Sequence, residues 1–535
     1  MPLPVARFGQ PPDPILLMRH YLQICDADHP QCKFAKHMVG PASVVDVSAF
    51  SGSQDVRLVE YASVASQPFV CLSHCWGSLE HRPIVTTKYN IMQHMEGIRF
   101  EELSRTFQDA VTVTRDLGYR YLWIDSLFII QYDDADWEQE ARKMPSIYGG
   151  SALTLAALNS QDGRGGFQIR DNDIVGSEHN RYVDVQFGKQ GIRIFESEPI
   201  QWHEEYGDTT SKESVYGTKP LRRRAWTLQE RGLPVRKISF SGSTLLWECN
   251  TSKGSTQVPW EAVEPYHDRR PMLDRTLVRE TLNAARGRDL WTDVIEDYTS
   301  RLLTVESDKL PALSGMCHTM LPYLRRSQYL AGLWRDHLPS ALLWRTEPGL
   351  RDPNGKAHAS SYPTRPKVHR APSWSWASLD GAVSYAALKS NVEFPMDNPY
   401  DAELERMTLQ IQEAQATPSG KDTTGAVSTA SLTVVGRKIL LRFSSRPQRI
   451  EDVVTRERSP MDLTSSDGAH AGLFYPDIRS EMAYHQEVHC LHVQAEPNDP
   501  LDRQLLEDPD DPLDRHLLED LETESTESVS DFNWG

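Results

Sequence analysis

What the chain lacks narrows it first. Its 535 residues contain no run of about eighteen apolar residues, so no membrane-spanning helix is expected. The amino end, Met1–Pro14, has no apolar stretch of the kind a secretory leader needs, so none is expected. Cysteine is scarce and odd in number: seven, scattered from Cys25 to Cys490. That pattern argues against a disulfide framework and for a reducing compartment, and the expected location is cytoplasmic. A basic face is also missing. Lys and Arg number 57 against 75 Asp and Glu, a net charge of −18. Fourteen Asp/Glu against two Arg within Glu496–Gly535 account for −12 of this, which leaves −6 over the rest of the chain. A nearly balanced body with an acidic tail does not predict a nucleic-acid partner. The glycine-rich Asp162–Phe167 has neither the Gly-x-Gly-x-x-Gly order nor a P-loop lysine, so neither phosphate-binding loop is supported.

What is present is an ordinary soluble composition, 39% apolar and 25% charged, on a chain long enough for several domains. Three apolar runs, Pro68–Ser73, Tyr119–Ile124 and Ala152–Ala157, read as buried strands. Between them, Phe100–Leu117 and Asp136–Tyr148 have helical spacing. In the second of these, Asp136 is a candidate N-cap and Pro145 is expected to kink or end the helix. Strand–helix–strand alternation predicts an α/β unit with a mostly parallel sheet, the strands at 69–73, 121–125 and 152–157 lying side by side. Ligands of such sheets bind beyond the carboxyl ends of the strands. Those ends fall here at His74–Gly77, Asp125–Ser126 and Asn159–Gly166.

Around that unit, residues 1–66 read as a mainly helical segment with a loop. In it, Cys25, His29 and Cys32 could supply three zinc ligands. The fourth would have to come from afar and no second pair is visible, so buried thiols beside a capping histidine are preferred and no metal site is assigned. Beyond Leu221, Arg222–Arg231 reads as a short helix, and Lys237–Phe240 with Thr244–Cys249 as a hairpin across Ser241–Ser243. Residues 233–495 read as a mixed α and β region. It is helical over 270–335 and strand-rich from Ala371, with Gln415–Ala426 an exposed loop. In the 496–535 tail, DPLDRQLLED (499–508) recurs as DPLDRHLLED (511–520). The tail is expected to be disordered, its composition being too poor in apolar groups to offset ordering.

Three blocks stand in order along the chain: Leu72-Ser-His-Cys-Trp-Gly77; Leu122-Trp-Ile-Asp-Ser-Leu127 with Ile129-Ile-Gln131; and Arg224-Ala-Trp-Thr-Leu-Gln-Glu230. Together with Phe107–Ala110, Asp136, Trp137, Glu140 and Met144–Tyr148, they resemble the fungal heterokaryon-incompatibility (HET) domain over about residues 67–232. The later Arg370–Ala377 is similar to a motif found downstream in the same family. The resemblance implies an effector of non-self recognition and programmed cell death, part of fungal innate immunity. It also implies a distant likeness to TIR domains, which have a flavodoxin-like parallel sheet and of which some cleave NAD with a helix glutamate. By that analogy an NAD glycohydrolase activity is one expectation, with NAD as substrate. A non-enzymatic signalling or scaffold module is the other, and protein partners or self-association are expected in either case. The family usually has Cys at the position of Phe128, so a catalytic cysteine there is excluded.

The resemblance nominates Glu140 as a catalytic carboxylate, and the end of a central strand nominates Asp125. A carboxylate can stabilise the oxocarbenium-like centre formed when a glycosidic bond to nicotinamide breaks. The alternatives are a solvated helix glutamate paired with Lys143, and a turn-capping aspartate. Ser73, His74, Trp76, Gly77, Arg224, Trp226 and Glu230 are the candidate NAD-binding residues, on the expectation that polar motifs at strand ends line one pocket. A nucleophile pair within Ser73–Cys75 is not expected, because neighbouring strand residues point to opposite faces. The acidic Asp133, Asp134, Asp136 and Glu138 read as a charged helix start rather than a Mg²⁺ site.

Overall fold

A computed structural model describes residues 13–33, 40–64, 67–167, 181–187, 190–196, 219–242 and 244–256, and then 284–321, 324, 327–346, 363–385, 409–435, 438–443, 461–464, 470–474, 487–491 and 527–529. The chain divides into two compact units, Met1–Glu280 and Thr281–Gly535.

The first unit begins with helix α1 (Pro14–Asp28), whose Asp13 side chain caps the Ile15 N–H at 2.8 Å. Strands β1 (Ser43–Asp46) and β2 (Arg57–Glu60) follow, so the segment read as mainly helical also supplies two strands. Next come β3 (Phe69–Ser73), α2 (Ile91–Glu96), α3 (Arg105–Asp116), β4 (Tyr121–Ile124), the single turn α4 (Asp125–Phe128), α5 (Asp134–Gly149) and β5 (Leu153–Ala157). A hairpin, β6 (Arg181–Phe187) and β7 (Gln190–Glu196), stands as its own two-stranded sheet. Helix α6 (Thr227–Gly232) and strands β8 (Arg236–Ser241), β9 (Thr244–Cys249) and β10 (Lys253–Ser255) complete the unit.

Eight of these strands form one sheet in the order β10-β9-β8-β5-β3-β4-β1-β2. The three runs expected side by side are neighbours and parallel. Val70 pairs with Leu122 on one side and Leu153 on the other, and β8 extends the parallel set beside β5. Every residue of β3, β4, β5 and β8 is buried, as expected of strands covered on both faces. The sheet as a whole is mixed rather than mostly parallel, because β9, β10, β1 and β2 join antiparallel. The reason is connection length. The β8–β9, β9–β10 and β1–β2 pairs are joined by turns too short for the crossover that parallel pairing requires. Short flanking strands of four residues also carry too little periodic signal to be read in advance.

Helix α3 presents Phe107, Ala110, Val111 and Thr114 to the core, the face expected from its spacing. Helix α5 departs from expectation twice. Its N-cap position is Asp133, and Asp136 lies inside the helix, where its carboxylate instead accepts the Ile130 N–H at 2.7 Å. Pro145 lies within the helix and does not end it. Burial of Met144, Ile147 and Tyr148 on one face outweighs the hydrogen bond that proline forfeits.

The second unit has helices Ala284–Thr299 and Pro311–Met320 and small antiparallel sheets. Trp291 and the fully buried Trp376 both donate to the Gly332 carbonyl, at 3.0 and 3.1 Å. Gly332 has φ +103°, and a Cβ there would meet the Trp376 ring at 2.7 Å, so only glycine fits this close approach. Arg370 donates to the carbonyls of Ala377 and Leu379 and to Asp380. The downstream motif is therefore a core-building element. Tyr329–Leu330 and Leu333–Trp334 form a small hairpin inside the span expected to be helical. Gln415 does not lie in a loop: Gln410–Pro418 is a strand paired with Val427–Val435, and only the turn between them is irregular. The alternation of exposed polar residues along Gln410–Pro418 is that of an edge strand and reads as a loop by composition alone. Three residues of the acidic tail, Glu527–Val529, pair with Leu432–Val434, while the 499–520 repeat lies outside the described residues. Among the described residues no helix is long and apolar enough to cross a membrane.

Candidate functional site

The carboxyl ends of β3 and β4 are where the three sequence blocks meet. β3 ends at Ser73, and the chain turns through His74, Cys75 and Trp76 to Gly77, which has φ +77°. A Cβ on Gly77 would lie 2.4 Å from Asp162 Cβ, so glycine is required both by the backbone and by the glycine-rich loop packed on it. That loop is itself tied to the start of α3. Thr106 N–H donates to the Gly163 carbonyl at 2.9 Å, and Asp109 accepts the Phe167 N–H at 2.8 Å. β4 ends one residue earlier than expected, and Asp125 opens α4. The third block arrives because the Leu221 N–H bonds the Leu158 carbonyl just beyond β5. Leu221 packs there with Cys75, Ala156, Leu158 and Leu246, and the following turn carries Arg224 and α6 over the strand ends.

Direct contacts join the blocks. The Ser73 hydroxyl donates to Glu230, and the Arg224 guanidinium donates to the His74 carbonyl. The Trp76 indole donates to Asp125 Oδ2 at 2.8 Å, while Asp125 Oδ1 accepts the Ser126 N–H at 2.7 Å. His74 Nδ1 lies 3.7 Å from Asp125, and the imidazole meets the Phe107 ring edge-on, centroids 5.0 Å apart. Trp226 meets Trp137 of α5 edge-on at 6.1 Å, and the Arg82 guanidinium lies over the Trp76 ring. Ser73, His74, Asp125 and Glu230 are all buried. The structure thus brings together eight of the nine candidate residues, Trp226 by its place at the head of α6. Glu140 instead accepts hydrogen bonds from Gln139 and Lys143 of its own helix. It is buried on the second turn of α5, 2.6 Å from Lys143, and its Oε2 has no hydrogen-bond partner among the described residues. Asp133 pairs with Lys88 at 2.8 Å, consistent with a charged helix start.

Burial sets the protonation states. It pushes the Glu230 carboxyl up to about 7, with Arg224 pulling down, the Asp125 charge pushing up, and the Ser73 and Tyr148 hydroxyls pulling down. Burial likewise holds the His74 imidazole down at about 4 against the pull of Asp125, so the His74–Asp125 approach is a contact of a neutral ring with a carboxylate. The Cys75 thiol is pushed up to about 11 and is not a nucleophile at neutral pH. Ser73 bonds Glu230, not His74, and neither His74 ring nitrogen has a hydrogen-bond partner among the described residues. No nucleophile pair forms in this segment. Tyr148 was missed by the sequence reading. Its buried hydroxyl donates to the Leu72 carbonyl at 3.3 Å and faces Glu230, and its only advance signal was a place on the apolar face of α5.

A mixed α/β domain with a buried carboxylate–arginine–imidazole cluster at the carboxyl edge of its parallel strands is the class that fold and site define. Residues 69–230 match the family model described as heterokaryon incompatibility protein (HET), so the chain carries a HET domain over this stretch. No curated protein and no solved structure matches it.

Proposed function

We propose that this chain is a cytoplasmic effector of heterokaryon incompatibility whose α/β domain binds NAD at the carboxyl edge of the sheet and cleaves it, with programmed cell death as the outcome. The observation that carries the reading is the convergence of Ser73, His74, Asp125, Arg224 and Glu230 at the ends of β3 and β4. The order of the four parallel strands supports it. Numbered among themselves, β4-β3-β5-β8 run second, first, third, fourth, which is the flavodoxin-like order implied by the TIR likeness. In that order the ligand crevice opens between the first and third strands, here β3 and β5, and Ser73 and His74 lie at the end of β3. Heterolysis of the bond between ribose and nicotinamide releases neutral nicotinamide and leaves an oxocarbenium-like ribosyl centre, which water captures with loss of one proton. A carboxylate beside that centre stabilises it, and Asp125 and Glu140 are the proposed groups. Glu230, with a pKa near neutrality, is suited to take the water's proton.

One observation favours a non-enzymatic signalling module acting through protein partners or self-association. Asp125 and Glu230 are already engaged by Trp76 and Ser73, and Glu140 by Lys143. Incubating the purified chain with NAD and quantifying free nicotinamide separates the two. Release that is lost in Glu140→Gln and in Asp125→Asn supports hydrolysis; constant NAD with undiminished toxicity in cells supports the module.

A further inference from the structure

A second buried cluster forms where the end of α1 meets the end of β9. Cys25 lies on the last turn of α1. His29 is the C-cap, its N–H bonded to the Cys25 carbonyl at 3.3 Å, and Pro30–Cys32 is a single tight turn. This spacing sets two thiols and an imidazole on one side of a short loop. β9 brings Cys249 to them from 217 residues further along the chain. The ligand atoms of Cys25, His29, Cys32 and Cys249 all lie within 4.8 Å of one another, with Cys249 Sγ 3.4 Å from His29 Nδ1. Four ligands bound at about 2.1–2.3 Å around a tetrahedral ion lie about 3.5–3.8 Å apart, so the group is close to that spacing. All three cysteines are buried and none is in a disulfide.

The surroundings fit a thiolate. Cys249 Sγ accepts N–H groups from Ser252 at 3.1 Å and Thr251 at 3.4 Å, and the Ser252 hydroxyl lies 3.2 Å away. Backbone N–H donors of this kind orient a metal-bound sulfur and spread its charge. Arg236 at the start of β8 reaches the Cys32 carbonyl at 3.0 Å and Asp26 at 2.5 Å, which places a fixed positive charge beside the cluster. Both loops are also tied to each other: Asn250 donates to the Gln31 carbonyl at 3.4 Å.

We propose that Cys25, His29, Cys32 and Cys249 bind one zinc ion as a structural site. Three sulfurs and one imidazole nitrogen within 4.8 Å of one another suit Zn²⁺ above the hard divalent cations. Binding releases the three thiol protons to solvent and leaves the site with one net negative charge, next to Arg236. All four positions are filled by side chains, so none is open for a reactive water and the ion is structural. Its effect is to fasten α1 to the outer hairpin of the sheet, where Tyr21 already stacks on Trp247 with centroids 5.5 Å apart and donates to the Ser255 carbonyl at 3.1 Å.

The test uses the full chain, produced with zinc in the medium and purified without chelator. Metal analysis is expected to find one zinc per chain. Exchange with cobalt is expected to give the visible d–d bands and sulfur-to-metal charge transfer of tetrahedral thiolate ligation. Cys249→Ser and His29→Ala are expected to lose the metal. Because Cys249→Ser removes a fold-linking residue, His29→Cys is the control: it supplies a fourth thiolate and should keep zinc while shifting the cobalt spectrum. The proposal is overturned if the wild-type chain holds under about a tenth of an equivalent of zinc and gives no cobalt spectrum. It is equally overturned if peptide mapping finds two of these cysteines in a disulfide, or if His29→Ala and Cys249→Ser keep the metal in full.

Discussion

At the carboxyl edge of the parallel strands, oxygens and nitrogens meet: two carboxylates, an arginine and an imidazole kept neutral by burial. At the amino edge, where Cys249 pairs with Arg236 at the start of β8, three thiols and an imidazole meet instead. Both clusters draw on segments far apart in the chain, and both are largely buried, with Arg224 half-exposed in the first and His29 half-exposed in the second. They differ in what they can answer to. Glu230 and His74 have pKa values displaced in opposite directions, Glu230 up to about 7 and His74 down to about 4, so the first cluster changes charge under ordinary conditions. The second offers soft donors suited to a cation and no partner for a polar substrate. One sheet thus carries a responsive edge and a fastened one.

The largest expected effect breaks the fastened edge. Cys249→Ala should lower unfolding free energy by about 4 kcal/mol, the scale of losing a metal or a comparable cross-link. Thermal unfolding with and without chelator checks it: the wild type should fall with chelator and the variant should not respond. A variant as stable as the wild type would remove the distinction between the two edges.

Gly77→Ala strikes the other edge through the backbone alone. With φ at +77° and Asp162 Cβ 2.4 Å from the new methyl group, it should cost about 1–3 kcal/mol. Because the turn carries Trp76, the variant should also disturb the bond to Asp125. A shift in Trp76 fluorescence relative to a single-tryptophan control reads that change. Zinc content should stay unchanged, since the turn has no contact with the thiol cluster among the described residues.

How much of this was legible depends on the range of the signal. The three parallel strands announced themselves as unbroken apolar runs, and the polar blocks at their ends could be named because strand ends are where such sheets bind ligands. β1 and β2 were not legible, for four residues hold too few periods to distinguish a strand from a loop. Asp136 satisfied the pattern of a cap, yet the helix begins before it, and its carboxylate serves the preceding loop. Pro145 was read by its local cost, which the buried face of α5 overrides. The partners Ser73–Glu230 and Cys32–Cys249 share a different obstacle. Each joins residues more than 150 positions apart, and no local pattern states which distant residue will complete a cluster. Cys25, His29 and Cys32 were recognisable as three ligands; the fourth needed the sheet order.

The responsive edge can be sharpened by pH. Glu230, at about 7 in the fold against 4.5 as its ordinary value, favours folding while protonated. Its contribution is full below pH 4.5 and is lost as pH rises through 7. His74, at about 4 against 6.5, favours folding while neutral, so its contribution is full above pH 6.5 and is lost as pH falls through 4. The two slopes oppose and nearly cancel in the wild type. Glu230→Gln should therefore uncover the histidine slope: relative to wild type, stability should rise by about 2 kcal/mol between pH 4.5 and 6.5. His74→Gln should give the opposite slope. Parallel curves for wild type and both variants would show that neither group titrates with folding.

The smallest expected effect on stability carries the largest consequence for function. Glu140 is buried and pairs with Lys143 through one oxygen, while its other oxygen has no hydrogen-bond partner among the described residues. Gln is nearly isosteric, and it removes a buried charge at the same time as it removes the ion pair, two changes of opposite sign. Lys143 keeps access to solvent, so it is not left stranded. Glu140→Gln should thus change unfolding free energy by no more than about 0.5–1 kcal/mol. If the domain hydrolyses NAD, expression of the wild type in a sensitive host should deplete NAD and arrest growth, and the variant should do neither. Helical geometry argues that the test is a demanding one. Trp137 precedes Glu140 by three residues rather than the four of enzymatic TIR domains, a rotation of about 100° around the helix. A Gln variant that still arrests growth while NAD stays constant would assign toxicity to binding and favour the non-enzymatic signalling module.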